Sequence, residues 1–232
     1  MMTVSMLPRH LVSAREGHLD QVFHVLAYLK THETSAMMCD DTEPEFDDCR
    51  FKEYDWSEYY PDAVEAISRD MPKLQGKAVM CSCFVDAYHA GCRVRRRLHT
   101  GALIFVNRAP IVWYSKRQNT VESSTFGSDF VAMRIAIEMI EGLRYKLGMM
   151  GVPIEGLCYV FCNNNTVVIN SKNPKSMLKK KHAAINYHCT REVIAAKTIL
   201  VAKEDTSTNL ADLLTKCNPG PTLKSLISKD LW

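Results

Sequence analysis

The sequence predicts an α/β domain with a central mixed five-stranded sheet flanked by helices and preceded by an N-terminal helical connector. Three observations carry this reading. Three short apolar, β-branched runs follow one another closely: KAVMCSCFVDA, TGALIFVN and APIVWYSK. A long segment of helical period comes next, FGSDFVAMRIAIEMIEGLRYKLG. After it, strand-like LCYVFC and TILVAK alternate with helical segments. Closely spaced strands read as an antiparallel meander, and strands alternating with helices read as crossover units on the same sheet.

Each element has a local reason. In GHLDQVFHVLAYLK, residues Leu19, Val22, Phe23, Val25, Leu26 and Leu29 recur at helical spacing, so one helix face is apolar. The following TEPEFDDCRFKEYDWSEYYPD is acidic and aromatic without a period, and reads as a connector lying on another surface, closed by Pro72 and Gly76. KAVMCSCFVDA reads as a central strand ending at Asp86, and the next two runs as a hairpin turning at Arg108. Ser123, Ser124 and Thr125 offer N-caps for the long helix, Phe130, Met133, Ile137, Ile140 and Leu147 form its stripe, and Gly148 offers its stop. LCYVFC runs into a short helix, NNNTVVIN, with Asn163 at the junction, and Pro174 breaks the chain before KKKHAAINYHCTREVIAAK, a further helix. TILVAK is the fifth strand. TNLADLLTK is the final helix, with Thr208 or Asn209 as its cap.

Bulk properties narrow the class. With 232 residues, 47% hydrophobic and 24% charged, the chain suits one domain with an appendage or two small ones. No apolar run reaches the roughly 18 residues of a membrane span, and MMTVSMLPRHLVSAREGHLDQ lacks a secretory signal pattern, so an intracellular protein away from membranes is expected. Nine cysteines include no CxxC pair, which favours reduced thiols over zinc or disulfides. Net charge is only +3, but its distribution is uneven. Acid crowds Asp40 to Glu65, while base collects at Arg93, Arg95, Arg96 and Arg97 and at Lys172, Lys175, Lys179, Lys180 and Lys181.

The element order puts acid or amide side chains at four points: Asp86 in the first strand, Asp129 in the long helix, Asn163 after the fourth strand and Asp212 in the last helix. Strand ends and helix starts are where α/β sheets build sites, and clustered carboxylates there suit hard divalent cations. Two Mg²⁺ ions about 3.5–4 Å apart activate a water and stabilise the leaving oxygen of a phosphodiester. Singly, each acid is weak evidence, because a lone Asp is more often a solvated residue or a helix cap.

Support for the constellation comes from CFVDAYHAG, APIVWYSKRQNTVESSTFGSDFVAM, VFCNNN, KKKHAAINYHCTRE and TNLADLLTK. In this order they resemble segments of the ribonuclease H domains of copia-type LTR retrotransposon Pol polyproteins, over residues 77–218. GHLDQVFHVLAYLK resembles the helix joining the polymerase part of such polyproteins to that domain. The resemblance implies a degenerate polyprotein tail without protease, integrase or polymerase centres: a connector over 1–76, a ribonuclease H-like domain over 77–218 and a C-terminal tail over 219–232. It also implies an apolar helix face left by the missing polymerase part.

The activity implied is hydrolysis of the RNA strand of an RNA–DNA hybrid with two Mg²⁺ ions. Asp86 and Asp212 hold family ligand positions intact. Asp129 stands where the family has Glu, one methylene longer, so its oxygen falls about 1 Å short of a metal bond near 2.0–2.1 Å. Asn163 stands where the family has Asp and brings no charge, which leaves the second ion doubtful and the activity weak or absent. Asn163 also reads as a plain helix cap.

Arg95, Arg96, Arg97, Lys116, Arg117, Lys180, Lys181 and His182 suit a groove for hybrid phosphates, or a solvated charged face. His182 is placed nearest the substrate, whereas His188 reads as a partly buried structural histidine. Of Trp113 and Tyr114, on opposite faces of the third strand, one is expected in the core. Two other readings stay open: a non-catalytic nucleic-acid-binding module and an inactive genomic relic.

Overall fold

Runs of β-branched and aromatic residues form strands because such side chains fill a pleated, half-buried surface. The structure is a computed structural model that describes residues 2–88, 98–119, 122, 124–178 and 181–230. Helices α1 (Met2–Met6) and α2 (Glu16–Thr31) precede the sheet. Strands β1 (Cys81–Tyr88), β2 (His99–Val106) and β3 (Ala109–Arg117) follow. Then come α3 (Thr125–Met149), β4 (Cys158–Cys162), α4 (Asn165–Lys172) and α5 (Ala184–Ala195). The chain ends through β5 (Ile199–Lys203), α6 (Asp212–Thr215) and α7 (Gly220–Asp230).

The strand order is β3-β2-β1-β4-β5. The first three strands pair antiparallel, while β4 runs parallel to β1 and β5 parallel to β4. This is the mixed five-stranded sheet that the sequence predicts. The β2–β3 turn is held at Asn107, whose φ of 54° lies in the left-handed region that Asn tolerates. Its side chain accepts from the Met80 N–H at 2.9 Å and donates to the Asp41 carbonyl at 2.8 Å.

Alternation along β1 sends Cys81, Cys83 and Val85 into the main core and Ser82, Phe84 and Asp86 to the other face. The predicted stripe of α3, Phe130, Met133, Ile137, Ile140 and Leu147, is buried in that core with Ala102, Ile104, Val160 and Val201. Ser124 supplies the cap, its Oγ accepting from the Gly127 N–H at 3.2 Å. The stop comes later than Gly148: the helix runs to Met149, and the left-handed residue is Gly151, with φ of 74°. Gly148 serves packing instead, since a Cβ there would meet Met71 Cε at 2.8 Å. Of the third-strand pair, Tyr114 packs against the core and Trp113 is exposed.

The opposite sheet face carries a second cluster of Leu103, Phe105, Leu210, Leu214 and Leu226. Leu226 comes from α7, within the stretch read as a tail. Pro221 stands in the first turn of that helix, where the N–H groups lack partners anyway.

The acidic, aromatic segment read as a connector lies on the sheet and its helical layer. Phe46 and Phe51 place their rings 5.0 and 4.7 Å from Tyr159, and 5.1 and 5.6 Å from Phe161. Arg50 donates to the Lys203 carbonyl at 2.5 Å and pairs with Glu204. The chain then reaches the helical layer, where Trp56 is buried under the Arg191 guanidinium, 4.8 Å from its ring centroid. The Tyr60 hydroxyl is 2.7 Å from His188 Nδ1, and Glu65 receives the Arg144 fork at 2.6 and 2.8 Å. By contrast, Leu19, Phe23, Leu26 and Leu29 of α2 remain 54, 58, 53 and 56% exposed.

Candidate active site

Three of the four predicted positions converge through two short elements. Asp86, near the end of β1, is 3% exposed. The parallel register of β1 with β4 pairs Val85 with Cys162, so Asn163 follows at the level of Asp86. Asn163 Nδ2 donates to Asp86 Oδ1 at 2.8 Å. Helix α6 approaches from the second face because position 101, opposite Asp86 on β2, is glycine. A Cβ there would lie 2.6 Å from Thr215 Cγ2 and 2.9 Å from the Ala211 carbonyl oxygen.

Neither Thr208 nor Asn209 caps α6, whose N-cap is Ala211, but Asn209 ties the turn before it to β1. Fully buried, Asn209 donates to the Val85 carbonyl at 3.1 Å and accepts from the Ala211 N–H at 3.0 Å. Thr215 Oγ1 then donates to Asp86 Oδ2 at 2.5 Å. Lys216 extends back one turn, its Nζ 2.7 Å from Asp212 Oδ1 and 3.5 Å from Asp86 Oδ2.

Asp129 completes the group from the first turn of α3. It is 6% exposed and its Oδ2 accepts from Asn164 Nδ2 at 2.7 Å. Asn164, not Asn163, caps α4: its Oδ1 accepts from the Thr166 N–H at 3.0 Å and the Val167 N–H at 3.4 Å. The capping reading of Asn163 is thereby corrected, and its amide is left to face Asp86.

Burial sets the electrostatics. It pushes the Asp129 carboxyl up to about 7, with the Asp86 charge adding to the rise and Asn164 opposing it. Asp212 is pushed up to about 6, again chiefly by burial, against the pull of Lys216. For Lys216, burial pulls down, but Asp86 and Asp212 outweigh it and hold the ammonium above the ordinary lysine value.

Both raised acids bind protons in the folded state that the unfolded chain releases above its ordinary value of 3.8. Stability is therefore expected to fall as pH rises from about 4 through about 7. At ~1.4 kcal/mol for each tenfold in proton affinity, Asp129 accounts for on the order of 4 kcal/mol. Urea unfolding in metal-free buffer at pH 5 and pH 8 checks this. Asp129→Asn should flatten the slope, and an equal slope in that variant would trace the pH dependence to other groups.

The carboxylates have few free lone pairs. Both oxygens of Asp86 already accept, and the closest oxygen of Asp212 faces an ammonium. Among the described residues no three Asp, Glu, His or Cys side chains form a metal-holding group. As packed, the donor set does not fit two divalent ions.

Of the predicted basic groove, Lys116 and Arg117 end β3 at the same end of the sheet as Asp86. Lys116 is exposed, and its Nζ lies 5.6 Å over the Tyr114 ring. Lys181 and His182 are exposed before α5, with His182 Nε2 3.6 Å from Glu122, just ahead of α3. Arg95, Arg96, Arg97 and Lys180 fall outside the described residues. Sequence reasoning missed Gly101, Asn164, Thr215 and Lys216. Asn164 alone carried a signal, since Asn at the second position of NNNTVV is as good a cap as its neighbour.

No family model matches the chain. It is 29% identical over 165 residues to the retrovirus-related Pol polyprotein from transposon TNT 1-94 of Nicotiana tabacum, covering 67% of this chain and 12% of that protein. It is 25% identical over 142 residues to the corresponding polyprotein of transposon RE1 of Arabidopsis thaliana, covering 61% and 10%. Among solved structures, LC11-RNase H1 in complex with RNA/DNA hybrid aligns with a TM-score of 0.47 at 14% identity, over 58% of this chain and 93% of that one. The chain spans about a tenth of the length of the curated polyproteins it matches.

Proposed function

We propose that this chain, a homologue of copia-type retrotransposon Pol polyproteins, is a degenerate ribonuclease H. In this reading it binds an RNA–DNA hybrid and hydrolyses the RNA strand weakly or not at all. One observation carries the reading: an amide, that of Asn163, rather than a carboxylate meets Asp86 Oδ1, and the Lys216 ammonium lies between Asp86 and Asp212. Mg²⁺ is the cofactor of the ancestral reaction, held by Asp86, Asp129, Asp212 and the residue at 163. An amide at that last position removes a charge needed to hold two dications close together.

The residues that remain suit binding. Lys116 and Arg117 on one side of Asp86, and Lys181 ahead of α5, offer positive charge to a phosphate backbone, with the exposed His182 ring beside Lys181. Such contacts are independent of sequence and suit an A-form-like hybrid recognised by shape. Residues 77–218 carry this unit in the proposed division, with 1–76 and 219–232 as flanking segments packed on it. The exposed apolar face of α2 is assigned to the polymerase part of a longer polyprotein. An intracellular setting accords with Cys81, Cys83, Cys158 and Cys162, which are buried as thiols among the described residues. No helix among them is long and apolar enough to cross a membrane.

Fluorescence anisotropy with a labelled RNA–DNA hybrid tests the reading. The chain should bind with an affinity that falls steeply as salt rises, and Lys116→Ala and Lys181→Ala should each weaken binding about three- to tenfold and lower the salt slope by about one. Gel analysis of the same mixtures with Mg²⁺ should show the RNA strand intact or barely cut. Efficient cleavage, or no binding even at low salt, would end the proposal.

A further inference from the structure

Asp86 and Asp212 come from different elements and are 3 and 4% exposed, so their charges require a local partner. Among the described residues only one cation is paired with them, the ammonium of Lys216. We propose that Lys216 is a permanent counter-cation built into the chain, joining Asp86 to Asp212 so that the site assembles and keeps its geometry without a divalent ion. The proposal rests on reading the site as a former two-ion centre. It adds that a residue of the chain now fills the electrostatic role of an ion there.

Three features favour the lysine over a soluble ion. Its Nζ occupies the two oxygens an ion would have to share, Asp212 Oδ1 at 2.7 Å and Asp86 Oδ2 at 3.5 Å. The chain around it is fixed: Lys216 closes α6, its N–H donates to the Asp212 carbonyl at 3.0 Å, and Asn218 Nδ2 donates to that same carbonyl at 3.1 Å. Finally, Asn163 and Thr215 already donate to Asp86 at 2.8 and 2.5 Å, so a divalent ion would displace an ammonium and gain no extra carboxylate. Mg²⁺ sheds its water reluctantly, and a tethered ammonium is present at high local concentration whatever the metal content of the solution.

Lys216 is thus a positioning residue, and its test is metal binding read apart from hydrolysis. EDTA-stripped native chain, Lys216→Met and Lys216→Arg are titrated with Mn²⁺ while free ion is counted by electron paramagnetic resonance. Unfolding temperatures are taken in EDTA and in Mn²⁺. The native chain and the Arg variant should take up no stoichiometric Mn²⁺ and melt at the same temperature in both conditions. The Met variant should melt lower in EDTA, bind Mn²⁺ at least about tenfold more tightly than the native chain, and regain stability with it. Should Lys216→Met fail to fold, the native titration decides. Stoichiometric Mn²⁺ uptake by the native chain, or a Met variant as stable as the native chain in EDTA, overturns the proposal. Loss of hybrid binding would remove the nucleic-acid reading and leave these titrations untouched.

Discussion

Replacing Asn163 by Asp together with Asp129 by Glu is expected to raise cleavage of the RNA strand of an RNA–DNA hybrid by at least about 10²-fold, roughly 3 kcal/mol of transition-state stabilisation. The first change turns a hydrogen bond into a repulsion: at 163 the amide now donates to Asp86 Oδ1 at 2.8 Å, and a carboxylate in its place needs a cation between the two. The second adds the methylene that lets the α3 carboxylate reach further towards Asp86. Together they bring the acids to four against the single charge of Lys216, enough to draw divalent ions in. Time courses on labelled hybrid in Mg²⁺ and Mn²⁺, with an Asp86→Ala control in the same double-variant background, decide it. If the double variant is folded and cuts no faster than its Ala control, restoring charge at these positions does not restore a nuclease.

The largest stability effect is expected at Arg191. Its side chain is 3% exposed, and among the described residues no carboxylate pairs with it. Carbonyls surround its Nη groups instead: Nη1 lies 3.1, 3.0 and 3.3 Å from those of Asn170, Asn173 and Ser176, and Nη2 donates to Pro174 at 2.5 Å. The guanidinium also stacks over Trp56 and Tyr187, 4.8 and 4.6 Å from their centroids. One planar group therefore joins α5, the α4–α5 loop and the connector. Arg191→Met strands the carbonyls of Asn170, Asn173 and Pro174, while Ser176 keeps the Tyr187 hydroxyl, and should cost about 3–5 kcal/mol, a fall of roughly 10 °C in Tm. Arg191→Lys should lose most of that too, because a point charge cannot serve carbonyls in a fork. Urea unfolding of both variants checks it, and a Met variant within about 1 kcal/mol of native would show that these carbonyls find other donors.

Those two sites show how differently sequence reports on structure. The five strands and α3 were legible because hydrophobic period is imposed all along an element, and a misplaced residue would sit on the wrong face. Asp86, Asp129 and Asp212 were legible as a group only through the ordered resemblance, since nothing local separates them from surface acids. The connector was legible only as an aperiodic segment lying on a surface: Phe46 and Phe51 share Tyr159 and Phe161, while Trp56 and Tyr60 meet the helical layer, so their spacing leaves no period. Nor was Lys216, which in sequence is an ordinary i,i+4 partner of Asp212. Its second contact, with Asp86, depends on the closeness of α6 that Gly101 permits.

The strap formed by the connector bears on the order in which the chain can acquire structure during synthesis. Arg50 meets Glu204, 154 residues later, and Tyr60 meets His188, 128 residues later. Ribosomes release the N-terminal partner of each pair first, so its aromatic side chains emerge before their resting places exist. Closing such long loops is slow and entropically demanding. During that interval Phe46, Phe51 and Trp56 are bare, and the nascent chain presents its most adhesive stretch before the surface that will cover it has been made.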